Sequence, residues 1–275
     1  MGNANNNHPH GRTLRVDRLP HIWCQGCGLG IILHCYAEAL EETGIDLDRV
    51  VTISGIGCAG RTSGYVNTDG FHTTHGRTLP FATGVGIAKP DLKPVVISGD
   101  GDLFSIGGNH LIHAARRNID VLVVCSNNFN YGMTGAQFGP TTPSGTRTPT
   151  SPYGNIENPF NLVALVAAAG ATYVSRWTVY HTQMLKNSMK RGLEKRGFSF
   201  IEVISPCTTG YGRLNRMSPV DMMRALRDFG KIKKVPPMEA TIDLTREIVL
   251  GEFVDIEKPT YNDVFSSLYG KAGAS

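Results

Sequence analysis

Short apolar stretches rich in β-branched residues alternate with longer amphipathic stretches along most of the chain. The apolar stretches predict five strands, at residues 50–54, 94–98, 121–125, 171–175 and 200–204. The amphipathic stretches predict six helices, at residues 30–42, 79–88, 107–117, 159–169, 180–195 and 219–228. The predicted strands are almost continuously apolar, which is typical of strands buried on both faces of a parallel sheet. Because strands and helices alternate, the pattern predicts an α/β fold with a doubly wound, mostly parallel sheet.

Two long connections depart from this regular alternation. Residues 55–78 are rich in Gly, Thr and His, and residues 127–158 are rich in Gly, Pro, Thr and Asn. Both follow predicted strands, so both lie at the carboxyl edge of the predicted sheet, where α/β proteins bind their ligands. Long loops at such an edge are usually functional. We therefore expect these two connections to build the functional site.

The two ends of the chain differ from its central part. Residues 1–17 are polar and form an N-terminal extension, whereas residues 18–215 contain the predicted sheet. After about Cys207 the apolar periodicity fades, and residues 216–275 hold one predicted helix, a basic KIKK stretch and a sparse acidic tail. We expect this last segment to be an irregular C-terminal arm that needs outside contacts.

Composition narrows the range of partners and compartments. The net charge is +4 without a long Lys/Arg run, which disfavours nucleic acid as a partner. The first residues lack the apolar core of a signal peptide, and the longest apolar stretches are too short to span a bilayer. We therefore expect a cytoplasmic protein that does not use a membrane. Glycine accounts for 32 of 275 residues, about 12% against a usual ~7%, which indicates many tight turns and close backbone approaches.

A glycine turn and an asparagine pair follow two successive predicted strands. Asp100 lies in a Gly-Asp-Gly-Asp turn, and Asn128 lies in an Asn-Asn pair one helix and one strand later. Carboxylate and amide oxygens suit Mg²⁺, and the backbone carbonyl of Asn130, just past Asn128, is a candidate third ligand. Gly99 and Gly101 allow the backbone to approach a phosphate group. A dinucleotide site is the rival interpretation, but no G-x-G-x-x-G motif follows a first strand.

Four of the six cysteines stand in positions suited to ligands. Cys24 and Cys27 precede a predicted helix, Cys58 follows the first predicted strand, and Cys207 follows the last predicted strand. Four converging thiolates suit zinc or an iron–sulfur cluster, whereas the first two alone suit a dithiol redox pair. Four unrelated cysteines are the third interpretation. The other two cysteines, Cys35 and Cys125, lie inside a helix pattern and a strand pattern and are interpreted as small core residues.

Taken together, these motifs resemble those of the β subunit of 2-oxoacid:ferredoxin oxidoreductases. The resemblance covers about residues 18–215 and depends on seven motifs that occur jointly and in order. They are 21–28 (HIWCQGCG), 57–61 (GCAGR), 75–77 (HGR), 99–102 (GDGD), 127–128 (NN), 131–134 (YGMT) and 205–207 (SPC). The resemblance implies the thiamine-diphosphate-binding fold, and within it the diphosphate-binding domain.

The resemblance also implies three cofactors and the residues that hold them. One 4Fe–4S cluster would be bound by Cys24, Cys27, Cys58 and Cys207. Mg²⁺ would be bound by Asp100 and Asn128, with Asn130 as the candidate third ligand. Thiamine diphosphate would lie along Ile56, Gly57, Cys58, Ala59, Gly101, Asp102, Gly132, Met133 and Thr134. In this family the glutamate at the aminopyrimidine comes from a partner α subunit, and no pyrimidine-binding domain is recognisable in this sequence.

The reaction implied by the resemblance is the CoA-dependent oxidative decarboxylation of a 2-oxoacid, or the reverse carboxylation, with electrons passing through the cluster to ferredoxin. The GCAGR loop looks most like that of the 2-oxoglutarate enzymes, which form succinyl-CoA and CO₂; pyruvate or broad 2-oxoacid use stays open. Arg61 is the candidate for holding the substrate carboxylate, and His75 for hydrogen bonding substrate or cofactor. We expect an (αβ)₂ hetero-oligomer in which the C-terminal arm contacts the α subunit.

Two other classes of function remain open at this point. A non-oxidative thiamine-dependent decarboxylase would use Asp100 and Asn128 but would leave the four cysteines without a role. A zinc-stabilised scaffold subunit would explain the cysteines but not the expected Mg²⁺ site.

Overall fold

The computed structural model describes residues 8–272, so residues 1–7 of the expected N-terminal extension and residues 273–275 of the expected arm lie outside the described residues. The strands are β1 (Val50–Ser54), β2 (Asp69–His72), β3 (Lys93–Gly99), β4 (Val121–Asn127), β5 (Tyr173–Thr178), β6 (Phe198–Ile204), β7 (Gly230–Ile232), β8 (Ile242–Asp243) and β9 (Glu247–Asp255). The helices are α1 (Leu29–Thr43), α2 (Thr78–Ala88), α3 (Gly108–Arg116), α4 (Leu162–Ala168), α5 (Thr182–Glu194), α6 (Pro219–Phe229) and α7 (Tyr261–Ala272). Every predicted strand and helix is present, with ends shifted by up to three residues.

The strands form one sheet in the order β2-β1-β3-β4-β6-β5-β9-β7, and β8 pairs with β9. Strands β1 to β6 pair in parallel, with Gly99 of β3 opposite Ser126 of β4. Successive side chains of a strand point to opposite faces. Val95 and Ile97 therefore belong to a core shared with α1 and α5, whereas Val96 belongs to a core shared with α2, α3 and α4. Helices cover both faces of the sheet, which confirms the predicted doubly wound α/β fold.

Helix α1 shows how the sequence builds these layers. Its buried residues include Ile32, Leu33, Tyr36 and Leu40, which recur at helical spacing and form one apolar stripe against the core. The helix ends at Gly44, whose φ of +66° is the left-handed conformation that favours glycine at a helix C-terminus. Within residues 8–272, no helix is both long enough and apolar enough to cross a membrane.

The C-terminal segment is more regular than the sequence pattern predicts. Helix α6 begins with a capping box formed by Ser218 and Asp221, and β9 pairs antiparallel with β5 and so extends the sheet. Strand β9 escaped prediction because buried and exposed residues are mixed along it and Gly251 adopts a φ of +147° within it. The arm is therefore partly an edge of the main sheet rather than an irregular attachment.

Candidate active site

The carboxyl ends of β1, β3 and β4 meet at one edge of the sheet, and the loops that follow them enclose a cavity of about 90 Å³. Its lining includes every residue that the sequence assigned to thiamine diphosphate and to Mg²⁺, and also His75, Gly99 and Tyr131. Pockets that enclose a whole cofactor usually measure about 300–1,000 Å³. The cavity is therefore smaller than a pocket that encloses a whole cofactor.

Asp102 joins the loops that follow β1 and β2 to the end of β3. Its Oδ1 accepts hydrogen bonds from the backbone N–H of Ile56 at 3.1 Å and of Gly76 at 2.8 Å, and lies 2.5 Å from His75 Nδ1. Its Oδ2 accepts a hydrogen bond from Ser98 Oγ at 2.8 Å. Because an ionised carboxylate only accepts, Nδ1 of His75 carries the proton and Nε2 remains for a ligand. The Asp102 side chain thus fixes the loops and the tautomer of His75, with both of its oxygens already engaged.

Asp100 is a buried carboxylate, and a nearby positive charge would stabilise its ionised form. It is 1% exposed, and burial raises its pKa from 3.8 to about 6. The Thr141 hydroxyl and the backbone N–H groups of Gly101 and Asn128 act against this rise by donating hydrogen bonds to it. A divalent cation would favour the ionised form much more strongly than these neutral donors do.

The side chain of Asn130 is buried without a protein partner. Both Oδ1 and Nδ2 lack a hydrogen bond, although the residue is 3% exposed. Buried polar atoms without protein partners are costly, so the Asn130 side chain beside Asp100 and Asn128 fits a site that binds a polar ligand. The backbone N–H of Asn130 donates to Asn128 Oδ1 at 3.1 Å, which fixes the asparagine turn. These donor groups fit the hard-ligand set that Mg²⁺ prefers.

A buried ion pair behind the site supports the same turn. Arg176 Nε donates to Glu202 Oε2 at 2.7 Å, and both side chains are fully buried. Glu202 Oε1 accepts from Asn127 Nδ2 at 2.7 Å, and Asn127 Oδ1 accepts from the backbone N–H of Phe129 at 3.3 Å. Phe129 has a φ of +64°, a conformation unusual for a bulky residue. The ion pair therefore helps to hold the strained turn that presents Asn128 to the cavity.

A second cavity, of about 210 Å³, adjoins the first and is lined by Cys24, Cys27, Cys58 and Cys207. The two cavities share Cys58, Asn128, Gly132 and Met133 as lining residues. The structure thus brings together the four cysteines that the sequence singled out and places them beside the first cavity. The remaining cysteines, Cys35 and Cys125, are free and fully buried in the two cores, as predicted.

Burial dominates the environment of two thiols in this second cavity. It raises the pKa of Cys27 to about 11, and together with the neighbouring cysteines it raises the pKa of Cys58. Backbone N–H groups do approach the sulfurs: that of Gly210 donates to Cys207 Sγ at 3.2 Å, and that of Leu29 donates to Cys27. Such bonds stabilise thiolate ligands and tune a metal centre.

Four thiolates suit either a single zinc ion or an iron–sulfur cluster. A single zinc ion needs its sulfurs about 2.3 Å from one point. Among residues 8–272, no group of three or more His, Cys, Asp or Glu side chains is arranged to hold one metal ion. A cluster of several irons spreads its ligand sulfurs over a larger volume, and the four cysteines line one cavity of about 210 Å³.

Two residues that the sequence proposed for the site, Arg61 and Thr134, are not positioned to donate a side-chain hydrogen bond to a ligand in the first cavity. Arg61 is exposed on the short helical segment Ala59–Gly64 and lines neither cavity, although its charge acts to lower the pKa of Cys58. Thr134 lines the first cavity, but its hydroxyl donates to Gln137 Oε1 at 2.7 Å and would have to rotate to reach a phosphate.

Sequence reasoning missed three contributing residues. Thr141 lies in the middle of an irregular loop and carries no signal in the sequence. Glu202 lies inside a predicted strand and Arg176 directly follows one, and a charged residue in a mostly apolar strand is the signal that could have indicated their ion pair.

Comparisons with known proteins identify the family of this chain. Residues 55–203 match the family model of the thiamine pyrophosphate enzyme, C-terminal TPP binding domain. The chain is 50% identical over 266 residues to a 2-oxoglutarate synthase subunit KorB of Methanocaldococcus jannaschii, covering 96% of this chain and 98% of that protein. It is 42% identical over 187 residues to a 2-oxoacid:ferredoxin oxidoreductase subunit beta of Aeropyrum pernix, covering 68% of this chain and 60% of that protein.

A solved structure shares the fold over almost the whole chain. It is the 2-oxoglutarate:ferredoxin oxidoreductase from Magnetococcus marinus with 2-oxoglutarate, coenzyme A and succinyl-CoA bound. The TM-score is 0.84 at 31% identity, covering 98% of this chain and 92% of that one.

Proposed function

The chain belongs to the KorB family of 2-oxoacid:ferredoxin oxidoreductase β subunits, and from this premise we propose that it forms the thiamine-diphosphate and 4Fe–4S site of a 2-oxoglutarate synthase. The proposed reaction converts 2-oxoglutarate and CoA to succinyl-CoA and CO₂, or runs in reverse. The observation that carries the proposal is the pair of adjoining cavities, one lined by the residues assigned to thiamine diphosphate and the other by four cysteines.

The residues present suit each proposed group. Asp100, Asn128 and the backbone carbonyl of Asn130 would hold Mg²⁺, and the buried Asp100 carboxylate beside the unpartnered Asn130 side chain supports a polar ligand there. Cys24, Cys27, Cys58 and Cys207 would hold the cluster. Thiamine diphosphate would supply the electron sink for loss of CO₂, and the cluster would carry the electrons onward to ferredoxin.

The chain's own side chains orient the bound groups. Asp102 holds the loops of Ile56 and Gly76 against the cavity and keeps the proton of His75 on Nδ1. Nε2 of His75 then accepts a hydrogen bond from substrate or cofactor. We propose that Arg61 pairs with the second carboxylate of 2-oxoglutarate in the assembled enzyme.

A partner α subunit completes the site, since the cavity of about 90 Å³ is smaller than a pocket that encloses a whole cofactor. Helix α7 is a candidate contact because it exposes Val264 (49%) and Leu268 (61%) near the end of the proposed C-terminal arm, residues 216–275. We propose an (αβ)₂ assembly. We also propose a cytoplasmic location, where the six free cysteines would stay reduced.

Ferredoxin reduction by the assembled enzyme tests the proposal. With CoA present, 2-oxoglutarate should support reduction at a higher kcat/KM than pyruvate. Equal rates would favour broad 2-oxoacid use, which the name of the Aeropyrum pernix relative makes the second candidate. No reduction with either acid would contradict the proposed function.

Substrate choice gives a sharper test of Arg61. Arg61→Ala should raise the KM for 2-oxoglutarate about tenfold and leave that for pyruvate unchanged, because only the dicarboxylate loses an ion pair. Arg49→Ala is the matched control, because Arg49 is exposed just before the amino end of β1, at the opposite edge of the sheet. An unchanged KM in Arg61→Ala would remove Arg61 from the site.

A further inference from the structure

We propose that residues 213–234, called the basic segment below, form the docking surface for a small acidic electron carrier of the ferredoxin class. The proposal rests on the proposed function, because it requires a cluster held by Cys24, Cys27, Cys58 and Cys207. It adds the place at which electrons leave the protein.

The positive charge of the chain is concentrated in the basic segment. Residues 213–234 hold seven Lys and Arg but only two Asp and Glu, a net charge of +5. The whole chain has a net charge of +4, so the remaining residues sum to −1. A local charge of this size attracts an acidic protein and speeds its encounter.

The basic side chains are available to a partner. All seven are exposed, and they are Arg213, Arg216, Arg224, Arg227, Lys231, Lys233 and Lys234. Within the described residues, Arg213, Arg216, Lys231 and Lys234 form no ion pair. Arg227 pairs with Asp228 at 2.7 Å and Lys233 with Glu247 at 2.6 Å, but these are surface pairs that a partner carboxylate can replace at small cost.

The basic segment packs directly against the cysteine loop. Gly26 lies between Cys24 and Cys27, and a Cβ on it would be only 2.9 Å from Pro219 Cβ at the start of α6. The Thr208 hydroxyl, one residue after Cys207, donates to the backbone carbonyl of Gln25 at 3.3 Å. Cys24 itself is exposed. A carrier seated on α6 would therefore contact the loop that holds two of the proposed cluster ligands.

The surface has the make-up of a transient protein interface. A groove along this contact is lined by Gly26, Pro219, Met223, Arg224 and Arg227, among others. Val220, on the same groove, is 56% exposed. Electron-transfer complexes are small and combine a modest apolar centre with a charged rim. The groove supplies the apolar centre, and the arginines supply the rim.

Charge reversal on the groove tests the proposal in the assembled enzyme. The variant Arg224→Glu/Arg227→Glu should raise the KM for an acidic ferredoxin about tenfold at low salt, with kcat nearly unchanged, and the difference should shrink at high salt. Reduction of methyl viologen by 2-oxoglutarate and CoA should stay at the wild-type rate, because a small dye needs no protein docking surface. Arg116→Glu is the matched control, because Arg116 is exposed at the end of α3, toward the opposite edge of the sheet.

Each other outcome has a definite meaning. An unchanged KM for ferredoxin with normal dye reduction overturns the docking surface and leaves the proposed function intact. A wild-type enzyme that reduces neither ferredoxin nor dye overturns the proposed function. If charge reversal impairs assembly with the α subunit or lowers the dye rate, Arg224→Gln/Arg227→Gln decides. If the glutamine variant assembles normally, reduces dye at the normal rate and has a raised KM for ferredoxin, the docking surface is supported. If its KM for ferredoxin is unchanged, or if it too fails to assemble, the α subunit rather than the carrier uses this surface.

Discussion

Replacing Asp102 by Asn removes one negative charge and keeps the shape of the side chain. The amide oxygen can still accept from Ile56, Gly76 and His75, and the amide nitrogen can donate to Ser98 Oγ. The three bonds to Oδ1 change from charge-assisted to neutral. Because a charge-assisted bond contributes about 1.5–3 kcal/mol and a neutral one about 0.5–1.5 kcal/mol, each loses about 1 kcal/mol.

A total loss of about 3 kcal/mol would loosen the loops of Ile56 and Gly76 around the cavity. If this loss appears in binding, thiamine diphosphate should bind about 100-fold more weakly, since 1.4 kcal/mol is about a factor of ten. The assay is a titration of cofactor-stripped, assembled enzyme with thiamine diphosphate and excess Mg²⁺, followed calorimetrically. Asp48→Asn, an exposed carboxylate before the amino end of β1, is the matched control and should bind as the wild type does.

Whether Asp102→Asn weakens or strengthens thiamine diphosphate binding distinguishes two roles for the Asp102 carboxylate. If the carboxylate holds the loops, as its four protein partners indicate, Asp102→Asn weakens binding. If the carboxylate instead faced the diphosphate, removing its charge would relieve repulsion and binding would become tighter. Equal or tighter binding in Asp102→Asn would therefore refute the reasoning.

Two further predictions concern the supports of the site. Arg176→Met leaves Glu202 fully buried without its partner, so it should destabilise the protein by about 3–5 kcal/mol and lower the melting temperature by about 10 °C. The double variant Arg176→Met/Glu202→Gln should recover part of this loss of stability. Equal losses in the single and double variants would contradict an ionic role for the pair. Gly101→Ala would drive a Cβ into the Tyr131 ring and should weaken thiamine diphosphate binding at least tenfold. In the control Gly108→Ala, no atom lies within 4 Å of the new Cβ, so this variant should bind the cofactor normally. Equal affinities of the two variants would show that Tyr131 moves freely.

The central strands and the meeting of Asp100 and Asn128 at one edge of the sheet were predictable because local sequence determines both. β1 and β3 to β6 are buried on both faces and are mostly apolar in sequence, whereas all four residues of β2 are exposed and carry no such signal. Asp100 and Asn128 immediately follow β3 and β4, and the parallel pairing of Gly99 with Ser126 brings them together.

The supporting contacts were not predictable, because each depends on a long-range path of the chain. Thr141 reaches Asp100 from a loop 41 residues away, and Asn127 meets Glu202 from 75 residues away across the β4–β6 pairing. Sequence spacing alone likewise gave no reason to expect that Asp102 would bond Ile56 and Gly76 from different loops. The exposed position of Arg61, outside both cavities, is set by the short helical segment after Cys58, which the sequence did not reveal.

The most direct test of the central claim is to measure iron, sulfide, zinc and thiamine diphosphate in the protein purified without air together with its α subunit. The account predicts about four irons and four sulfides per chain, one thiamine diphosphate and no stoichiometric zinc. Zinc without iron would contradict the cluster assigned to Cys24, Cys27, Cys58 and Cys207. A colourless protein that binds thiamine diphosphate would contradict it too, and would support a non-oxidative decarboxylase instead.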